Sequence, residues 1–309
     1  MPSHDSFGPI TTGRGTPRNR RRFEDDEPNF LKRGRIEPAL VEEPDLPETG
    51  DRWSTWDGAM HGPEPRPDWV RTEHRAVDTE LGMLKTGKEA DVFLVRREIP
   101  GTELISMIAA KRYRDGEHRL FHRDAGYLEG RRVRRSREMR AMTNRTSFGK
   151  ELIAGQWAAA EFGALSHLCQ VGRDTGLIRV PYPVQLAGTE LMLEFIGDWQ
   201  TGEAAPRLAQ LRPDPDRLAD LWRQAVDALS VLARAQLAHG DLSSYNTLVH
   251  DGRLVLIDLP QVVDVIANPR GADFIARDVR NLAAWFTARG LPVDADALIE
   301  RLLYEAALR

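Results

Sequence analysis

Residues 239–261 read HGDLSSYNTLVHDGRLVLIDLPQ, a stretch that sets polar side chains against two runs resembling β-strands. Asp241 is followed five positions later by Asn246, and Asp258 stands at the end of an apolar run. The segments TLV and LVLID flank an Asp-Gly pair at 251–252, a strong turn signal that predicts a tight β-hairpin. Each of the three polar side chains alone would be read as a turn or cap residue. Their order and spacing together indicate a reaction centre.

The chemistry that needs this pattern is phosphoryl transfer from ATP. It requires a carboxylate that accepts or orients the proton of the attacking hydroxyl, and oxygen ligands for Mg²⁺ beside the phosphates. Asp241 and Asn246 reproduce the D-x-x-x-x-N spacing of a kinase catalytic loop, and Asp258 falls where the second metal-binding aspartate belongs. A long amphipathic helix pattern between 218 and 233 leads into the loop. The sequence therefore favours a phosphotransferase.

A catalytic loop of this kind predicts a nucleotide-binding half upstream. The run ELISMIAAKRYR reads as a β-strand with Lys111 near its end, the position from which a kinase lysine reaches the α- and β-phosphates. Glu161 lies on or beside the apolar stripe of a predicted helix, an unfavourable place for an unpaired carboxylate. An ion pair between Lys111 and Glu161 would explain both residues. The alternatives are an exposed lysine at a strand end and a carboxylate on a helix surface.

The segment LGMLKTGKEADVFLV predicts a strand, a glycine-containing turn and a returning strand. Its GMLKTGKE portion nearly matches a P-loop, but Glu89 stands where the metal-binding hydroxyl belongs, and no helix follows. A P-loop NTPase is therefore excluded. The interpretation we favour is a β-hairpin whose tip, with Thr86, Gly87, Lys88 and Glu89, contacts phosphate through backbone N–H groups and side chains.

Several of these motifs together resemble the RIO family of atypical serine/threonine protein kinases. LKTGKEADVFLV is similar to its nucleotide loop, HGDLSSYNTLV to its catalytic loop, LIDLPQVVD to its metal loop, and LEFIG to its hinge. NPRGADFIARDVRNLAAWF resembles the helix after the metal loop, so the resemblance covers about residues 75 to 290. Aminoglycoside and choline phosphotransferases share the Asp and Asn spacing but lack the TGKEADV signature.

The resemblance implies an α+β, two-lobed protein-kinase-like fold with an abbreviated helical C-terminal lobe. It also implies roles for single residues. Asp241 would be the proton acceptor, Asn246 and Asp258 would hold Mg²⁺, and Lys111 would contact the phosphates of ATP. In the hinge, the backbone groups of Glu194 and Ile196 would form hydrogen bonds with adenine.

The chain is also expected to begin with a disordered tail. Ten of its 19 prolines fall within residues 1–69, with mixed-sign charge runs and little apolar periodicity. We therefore predict a mostly disordered tail at 1–70, an N-terminal lobe at 71–196 and a C-terminal lobe at 197–309. One or two of the tail's tryptophans, Trp53, Trp56 and Trp69, are expected to dock on the folded body. The charge-rich segment 112–150 is predicted to be a flexible insertion in the first lobe.

Composition excludes several other classes of protein. The 309 residues carry a formal net charge of −4, which predicts no general attraction to nucleic acid or membranes. One cysteine rules out an internal disulfide framework, and no run has transmembrane length or the pattern of a signal peptide. We expect a cytoplasmic protein whose partners are ATP and a protein substrate that the sequence does not identify.

Three alternatives stay open on sequence grounds. The protein could act mainly as an ATPase, or it could phosphorylate a small molecule in the manner of aminoglycoside or choline phosphotransferases. It could also be a nucleotide-gated module that docks on a ribosome or another assembly. Two basic clusters would support contact with ribosome or RNA: Arg18, Arg20, Arg21 and Arg22, and the arginines between Arg131 and Arg140. A solvated surface is the favoured interpretation of the first cluster and explains the second at least as well.

Overall fold

The computed structural model describes residues 46–114, 147–260 and 262–308, with the side chains of the first long helix described from residue 152. The strands are β1 (Arg52–Trp53), β2 (Met60–His61), β3 (Val77–Thr86), β4 (Ala90–Glu98), β5 (Ile105–Tyr113), β6 (Pro183–Ala187), β7 (Glu190–Glu194), β8 (Leu237–Ala238), β9 (Thr247–His250), β10 (Arg253–Leu256) and β11 (Val263–Asp264). The α-helices are α1 (Ser147–Thr175), α2 (Pro215–Arg234), α3 (Gly271–Thr287) and α4 (Ala295–Glu305).

The N-terminal half is an antiparallel sheet with the strand order β1-β3-β4-β5-β7-β6-β2. Side chains alternate between its two faces, as the period of a β-strand requires. On β7, Leu191 and Leu193 belong to the core cluster that includes the apolar residues of α1, whereas Met192 packs on the opposite face. On β5, Lys111 pairs with Leu191, and its side chain reaches α1. The sheet therefore aims Lys111 toward α1.

The segment 46–70, which we call the strap, is part of this fold. The sequence placed it in a disordered tail, and for these residues that boundary was wrong. Within the strap, β1 pairs with β3 and β2 pairs with β6, so the strap covers both edges of the sheet. Trp56 and Val70 are buried in the apolar cluster on the face opposite α1. The tryptophans offset a composition that otherwise indicates disorder.

The C-terminal half is mainly helical. Asp214 caps α2 by accepting a hydrogen bond from Arg217 N at 2.9 Å, and Pro215 occupies the first helical turn. The apolar stripe of α2 packs against α3 and α4 in the main core. The predicted hairpin is confirmed, because His250 of β9 pairs with Arg253 of β10 across a two-residue turn at positive φ.

Sheet and helices together confirm the α+β, two-lobed kinase-like architecture. Residues 112 and 113 finish β5, residue 114 follows the strand, and 147–150 begin α1, so these ends of the predicted insertion are described and mostly regular. The rest of the insertion lies outside the described residues, as do the tail at 1–45 and both arginine clusters. Among the described helices, none has the length and apolar character that crossing a bilayer requires.

Candidate active site

A cleft of about 720 Å³ lies between the sheet and the helical half. Apolar side chains form much of its walls, with Val92 and Ala109 from the sheet and Leu248 and Ile257 from the helical half. Most of the residues singled out from the sequence line this one cleft: Gly87, Lys88, Glu89, Lys111, Glu161, Glu194, Ile196, Asp241 and Asp258. Thr86 and Asn246 are not part of its lining.

Lys111 and Glu161 form the expected ion pair. Lys111 Nζ lies 2.7 Å from Glu161 Oε2 and 3.0 Å from Glu161 Oε1, and both residues are buried. The same Nζ donates to Asp258 Oδ1 at 2.7 Å. One ammonium group therefore joins β5, α1 and the segment that follows β10.

Glu161 has two further donors, which explains how a carboxylate is tolerated inside α1. Leu259 N donates to Glu161 Oε1 at 2.9 Å, and the Tyr113 hydroxyl donates to Glu161 Oε2. Burial, reinforced by the charge of Glu161, raises the pKa of Tyr113 well above its usual range, so the phenol keeps its proton. Glu161 therefore links the sheet, the helix and the segment carrying Asp258.

The charges of Lys111 and Asp258 stabilise each other. Burial alone would lower the pKa of Lys111, but the charges of Glu161 and Asp258 outweigh it and raise that pKa above its ordinary value. Burial likewise would raise the pKa of Asp258, whereas the charge of Lys111 and its hydrogen bond lower it to about 2. Both groups are therefore charged at neutral pH. Asp258 also has a φ of 67°, an uncommon conformation for a non-glycine residue that clusters at functional sites.

The loop after β8 carries Asp241 and Asn246. Asn246 Nδ2 donates to the Asp241 carbonyl oxygen at 2.9 Å and approaches Asp241 Oδ2 at 3.4 Å. Ile257 N donates to the Asn246 carbonyl oxygen at 3.1 Å. Asn246 therefore packs behind Asp241 and ties this loop to the strand end that precedes Asp258.

Two buried residues that sequence reasoning missed hold the same loop. Asp278, on α3, accepts from Gly240 N at 2.8 Å and from Leu242 N at 3.0 Å, so it binds the backbone on both sides of Asp241. Burial raises the pKa of Asp278, although the charge of His239 and the two backbone hydrogen bonds oppose the rise. His239 is fully buried, with its Nε2 3.1 Å from the Ile257 carbonyl oxygen.

The glycine turn between β3 and β4 lies over the cleft. Gly87 N donates to the Ala90 carbonyl oxygen at 2.9 Å, and a Cβ at Gly87 would also lie 2.9 Å from that oxygen. Only glycine fits this approach without a shift of the backbone. Thr86 instead donates its hydroxyl hydrogen to Asp91 Oδ1 at 2.6 Å, which holds its side chain at the base of the turn.

The predicted hinge lies between the two halves and begins with Glu194, the last residue of β7. Glu194 N donates to the Tyr182 carbonyl oxygen at 2.8 Å, and its side chain accepts from Tyr182 N at 3.1 Å. The Ile196 carbonyl oxygen accepts from Ala205 N at 2.9 Å. Gly197 then permits a tight crossing, since a Cβ there would stand 2.3 Å from the Glu203 carbonyl oxygen.

No group of three or more His, Cys, Asp or Glu side chains in the described part of the chain is arranged to hold a metal ion. Two oxygen-bearing side chains are predicted to bind the metal ion, those of Asn246 and Asp258. The carboxylate of Asp258 is ionised. Such a set suits Mg²⁺, which usually takes one or two protein carboxylates together with waters and substrate phosphates. A site of this kind is completed by its substrate.

Comparison with known proteins gives a consistent result. A family model described as the RIO domain matches residues 105–298. The chain is 33% identical over 225 residues to the RIO-type serine/threonine-protein kinase Rio1 of Haloferax volcanii, covering 72% of this chain and 69% of that protein. It is 27% identical over 251 residues to serine/threonine-protein kinase RIO1 of Saccharomyces cerevisiae, covering 76% of this chain and 49% of the yeast protein.

A mouse protein, serine/threonine-protein kinase RIO3, is 28% identical over 237 residues, covering 74% of this chain and 42% of the mouse protein. The match thus spans about two thirds of the archaeal relative and half or less of these two eukaryotic ones. The result does not favour the small-molecule phosphotransferases that share the Asp and Asn spacing. The chain belongs to the RIO family of serine/threonine-protein kinases.

Proposed function

We propose that the protein is an ATP- and Mg²⁺-dependent phosphotransferase that passes the γ-phosphoryl group of ATP to a serine or threonine hydroxyl of a protein. One observation carries the proposal: a single cleft with apolar walls contains Lys111, Asp241 and Asp258. A planar base needs apolar walls, a polyphosphate needs cations, and an attacking hydroxyl needs a carboxylate. The cleft offers all three.

The base of the nucleotide would lie between the two apolar walls. Val92 and Ala109 form one wall, and Leu248 and Ile257 form the other. Backbone groups of Glu194 and Ile196 would hydrogen-bond the edge of the base at the hinge. Because hydrogen-bonding groups at a site edge fix orientation more than affinity, these contacts would set the direction in which the phosphates leave the hinge.

The phosphates would meet Lys111 and the turn at 86–89. Lys111 is fixed before any nucleotide binds, since Glu161 holds its Nζ from one side. A charge held in place by the fold needs no reorganisation when the substrate arrives, which is the condition for electrostatic stabilisation of a transition state. Glu161 would act as a positioning residue for Lys111. Gly87, Lys88 and Glu89 line the cleft above it, and Thr86 would support the turn from its base.

Asn246 and Asp258 would hold Mg²⁺. When bound, the ion neutralises the charge that develops on the phosphate oxygens. The ionised Asp258 carboxylate now pairs with Lys111, so metal binding requires that carboxylate to share or leave the ammonium group. Asn246 would supply its side-chain oxygen, because Nδ2 is already engaged by the Asp241 carbonyl oxygen.

Asp241 would orient the acceptor hydroxyl and accept its proton. Its carboxylate lines the cleft, while Asp278 fixes the backbone on both sides of it. The contribution expected of Asp241 is mainly positional, because the transferred group carries most of the charge change. Whether a protein hydroxyl or water is the principal acceptor depends on access to the same carboxylate, so ATP hydrolysis is a second output of the same site. The cytoplasmic location and contact with ribosome or RNA stay predictions from the sequence.

The proposal is tested by an ATP-turnover assay with Mg²⁺, run without an acceptor, with a generic protein acceptor and with a set of hydroxylated small molecules. Wild type should release or transfer labelled phosphate, and Lys111→Ala and Asp258→Ala should each lower the rate by about 100-fold or more. Arg270→Ala, which removes an exposed ion pair on the helical half, is the matched control and should match wild type.

Equal rates for wild type and both cleft variants would overturn the proposal. Label found on hydroxylated small molecules but never on protein would move the assignment to the small-molecule class.

A further inference from the structure

Lys85 is a third lysine of the cleft, beside Lys88 and Lys111, and the family pattern did not single it out. It lies near the end of β3, where the pairing with β4 is irregular: Met83 lies opposite Phe93, and Lys85 lies opposite Val92. The strand thus advances two residues while its partner advances one, which is a β-bulge. Bulges re-aim side chains, and here two consecutive residues, Leu84 and Lys85, both line the cleft.

The bulge brings Lys85 to the carboxylate that would bind the metal. Lys85 Nζ lies 4.0 Å from Asp258 Oδ2, while Lys111 Nζ lies 2.7 Å from Asp258 Oδ1. The two ammonium groups therefore approach the two oxygens of one carboxylate. A separation of 4.0 Å exceeds hydrogen-bond length, so the attraction of Lys85 to Asp258 is purely Coulombic. Within the described residues, Lys85 Nζ makes no hydrogen bond.

The two lysines differ in depth. The side chain of Lys111 is 10% exposed, whereas that of Lys85 is 40% exposed, so Lys85 stands nearer the mouth of the cleft. A nucleotide whose base lay between the apolar walls, with its first phosphate at Lys111, would extend its outer phosphates toward this mouth. If Asp258 turns to a metal ion, Lys85 loses part of its counter-charge at the position where those phosphates would arrive.

We propose that Lys85 is a further binding and positioning residue for the nucleotide, which contacts the phosphates beyond the first one and brackets them together with Lys111. This inference rests on the proposed function, since it assumes that the cleft binds ATP. The competing explanation is that Lys85 only screens the charge of Asp258 in the nucleotide-free protein. The two explanations predict different effects on ATP affinity when the Lys85 side chain is removed. Loss of a phosphate contact weakens ATP binding, whereas loss of a competitor for Asp258 strengthens it or leaves it unchanged.

The test is calorimetric titration of ATP, ADP and AMP, each with Mg²⁺, into the full chain and its variants. Lys85→Met should weaken binding of ATP and ADP by about tenfold or more, the range for a hydrogen bond to a charged group, and should change AMP binding by less than about twofold. Lys85→Arg should keep most of the ATP affinity. Arg96→Met removes a basic side chain of β4 outside the cleft and should bind all three nucleotides as wild type does.

Thermal unfolding verifies that each variant is folded, and Lys85→Gln replaces Lys85→Met if the latter is not. If Lys85→Met binds ATP as tightly as wild type or more tightly, Lys85 only screens Asp258 and the inference is overturned. An equal loss for ATP and AMP also overturns it, because it would indicate a general change of the cleft. If wild type binds no nucleotide, the proposed function itself fails, and this inference fails with it.

Discussion

Glu161 Oε2 lies 2.7 Å from Lys111 Nζ, although the two residues stand 50 positions apart in the chain. The pair joins the sheet to α1, and both members are buried. Removing one partner of a buried ion pair leaves an uncompensated charge, so such pairs are sensitive to single substitutions. Here Asp258 also contacts Lys111, which moderates the effect on stability but not the effect on position.

Glu161→Gln should therefore lower both stability and turnover. The amide keeps an oxygen for Leu259 N but loses the charge that fixes Lys111, so the free energy of unfolding should fall by about 2–3 kcal/mol. Chemical denaturation measures this, and ATP turnover should fall at least about tenfold. Glu98→Gln, in an ion pair of β4 outside the cleft, is the matched control.

A double-mutant cycle with Lys111→Met separates the pair from general damage. If the two residues act together, the effects of the single changes on turnover should be far from additive. Additive effects would contradict the assignment of Glu161 as the positioning residue of Lys111.

Asp278→Asn should disturb the catalytic loop without touching the nucleotide site. An asparagine offers one acceptor oxygen where the structure uses two, so either Gly240 N or Leu242 N loses its partner. We expect a loss of about 1–3 kcal/mol in unfolding free energy and a fall in kcat of about 10- to 100-fold. ATP affinity, measured by titration, should stay within about twofold of wild type. A variant with normal kcat would show that Asp278 stabilises the fold but does not position the loop for catalysis.

The sequence predicted the ion pair and missed Asp278 for a physical reason. Lys111 and Glu161 are each conspicuous locally, one at a strand end and the other on an apolar stripe. Asp278 sits in a helix 37 positions beyond Asp241, a place typical of an ordinary surface carboxylate. Asp278 can bind the backbone around Asp241 only once α3 has packed against that loop. No local sequence pattern predicts this tertiary contact. Lys85 was missed similarly, because regular strand alternation gives no sign of the bulge.

The strap shows the opposite error. Its prolines and charges indicate disorder by composition, and the two edge strands within it are two residues long, too short to give an alternating pattern. Trp56 anchors the strap, because it packs in an apolar cluster with residues far along the chain, such as Tyr182 and Met192. The tryptophans at 53, 56 and 69 were the only local signal that this part of the chain docks.

The Lys111–Asp258 contact predicts a pH dependence. The pKa of Asp258 in the folded protein is about 2, below the ordinary aspartate value of about 3.9 in an unfolded chain. Because the folded pKa is the lower one, ionised Asp258 contributes stability above about pH 4, and this contribution is lost as the pH falls toward about 2.

The difference in unfolding free energy between wild type and Asp258→Asn should accordingly shrink as the pH falls from about 6 to about 3. Denaturant titrations at several pH values in the absence of nucleotide measure it. Taking a difference cancels the many other carboxylates that titrate in this range. A difference independent of pH would show that the Lys111 contact does not depend on the charge of Asp258.

A paired measurement on Asp241→Ala tests phosphoryl transfer by this cleft most directly. Labelled ATP with Mg²⁺ is followed for transfer to protein and release as phosphate, and ATP affinity is measured on the same preparation. We predict that phosphoryl transfer falls at least about 1,000-fold while ATP affinity changes by less than about threefold, because Asp241 acts on the acceptor rather than on the nucleotide. Turnover at the wild-type rate in the folded variant would show that Asp241 does not serve phosphoryl transfer and that the proposed reaction centre is wrong.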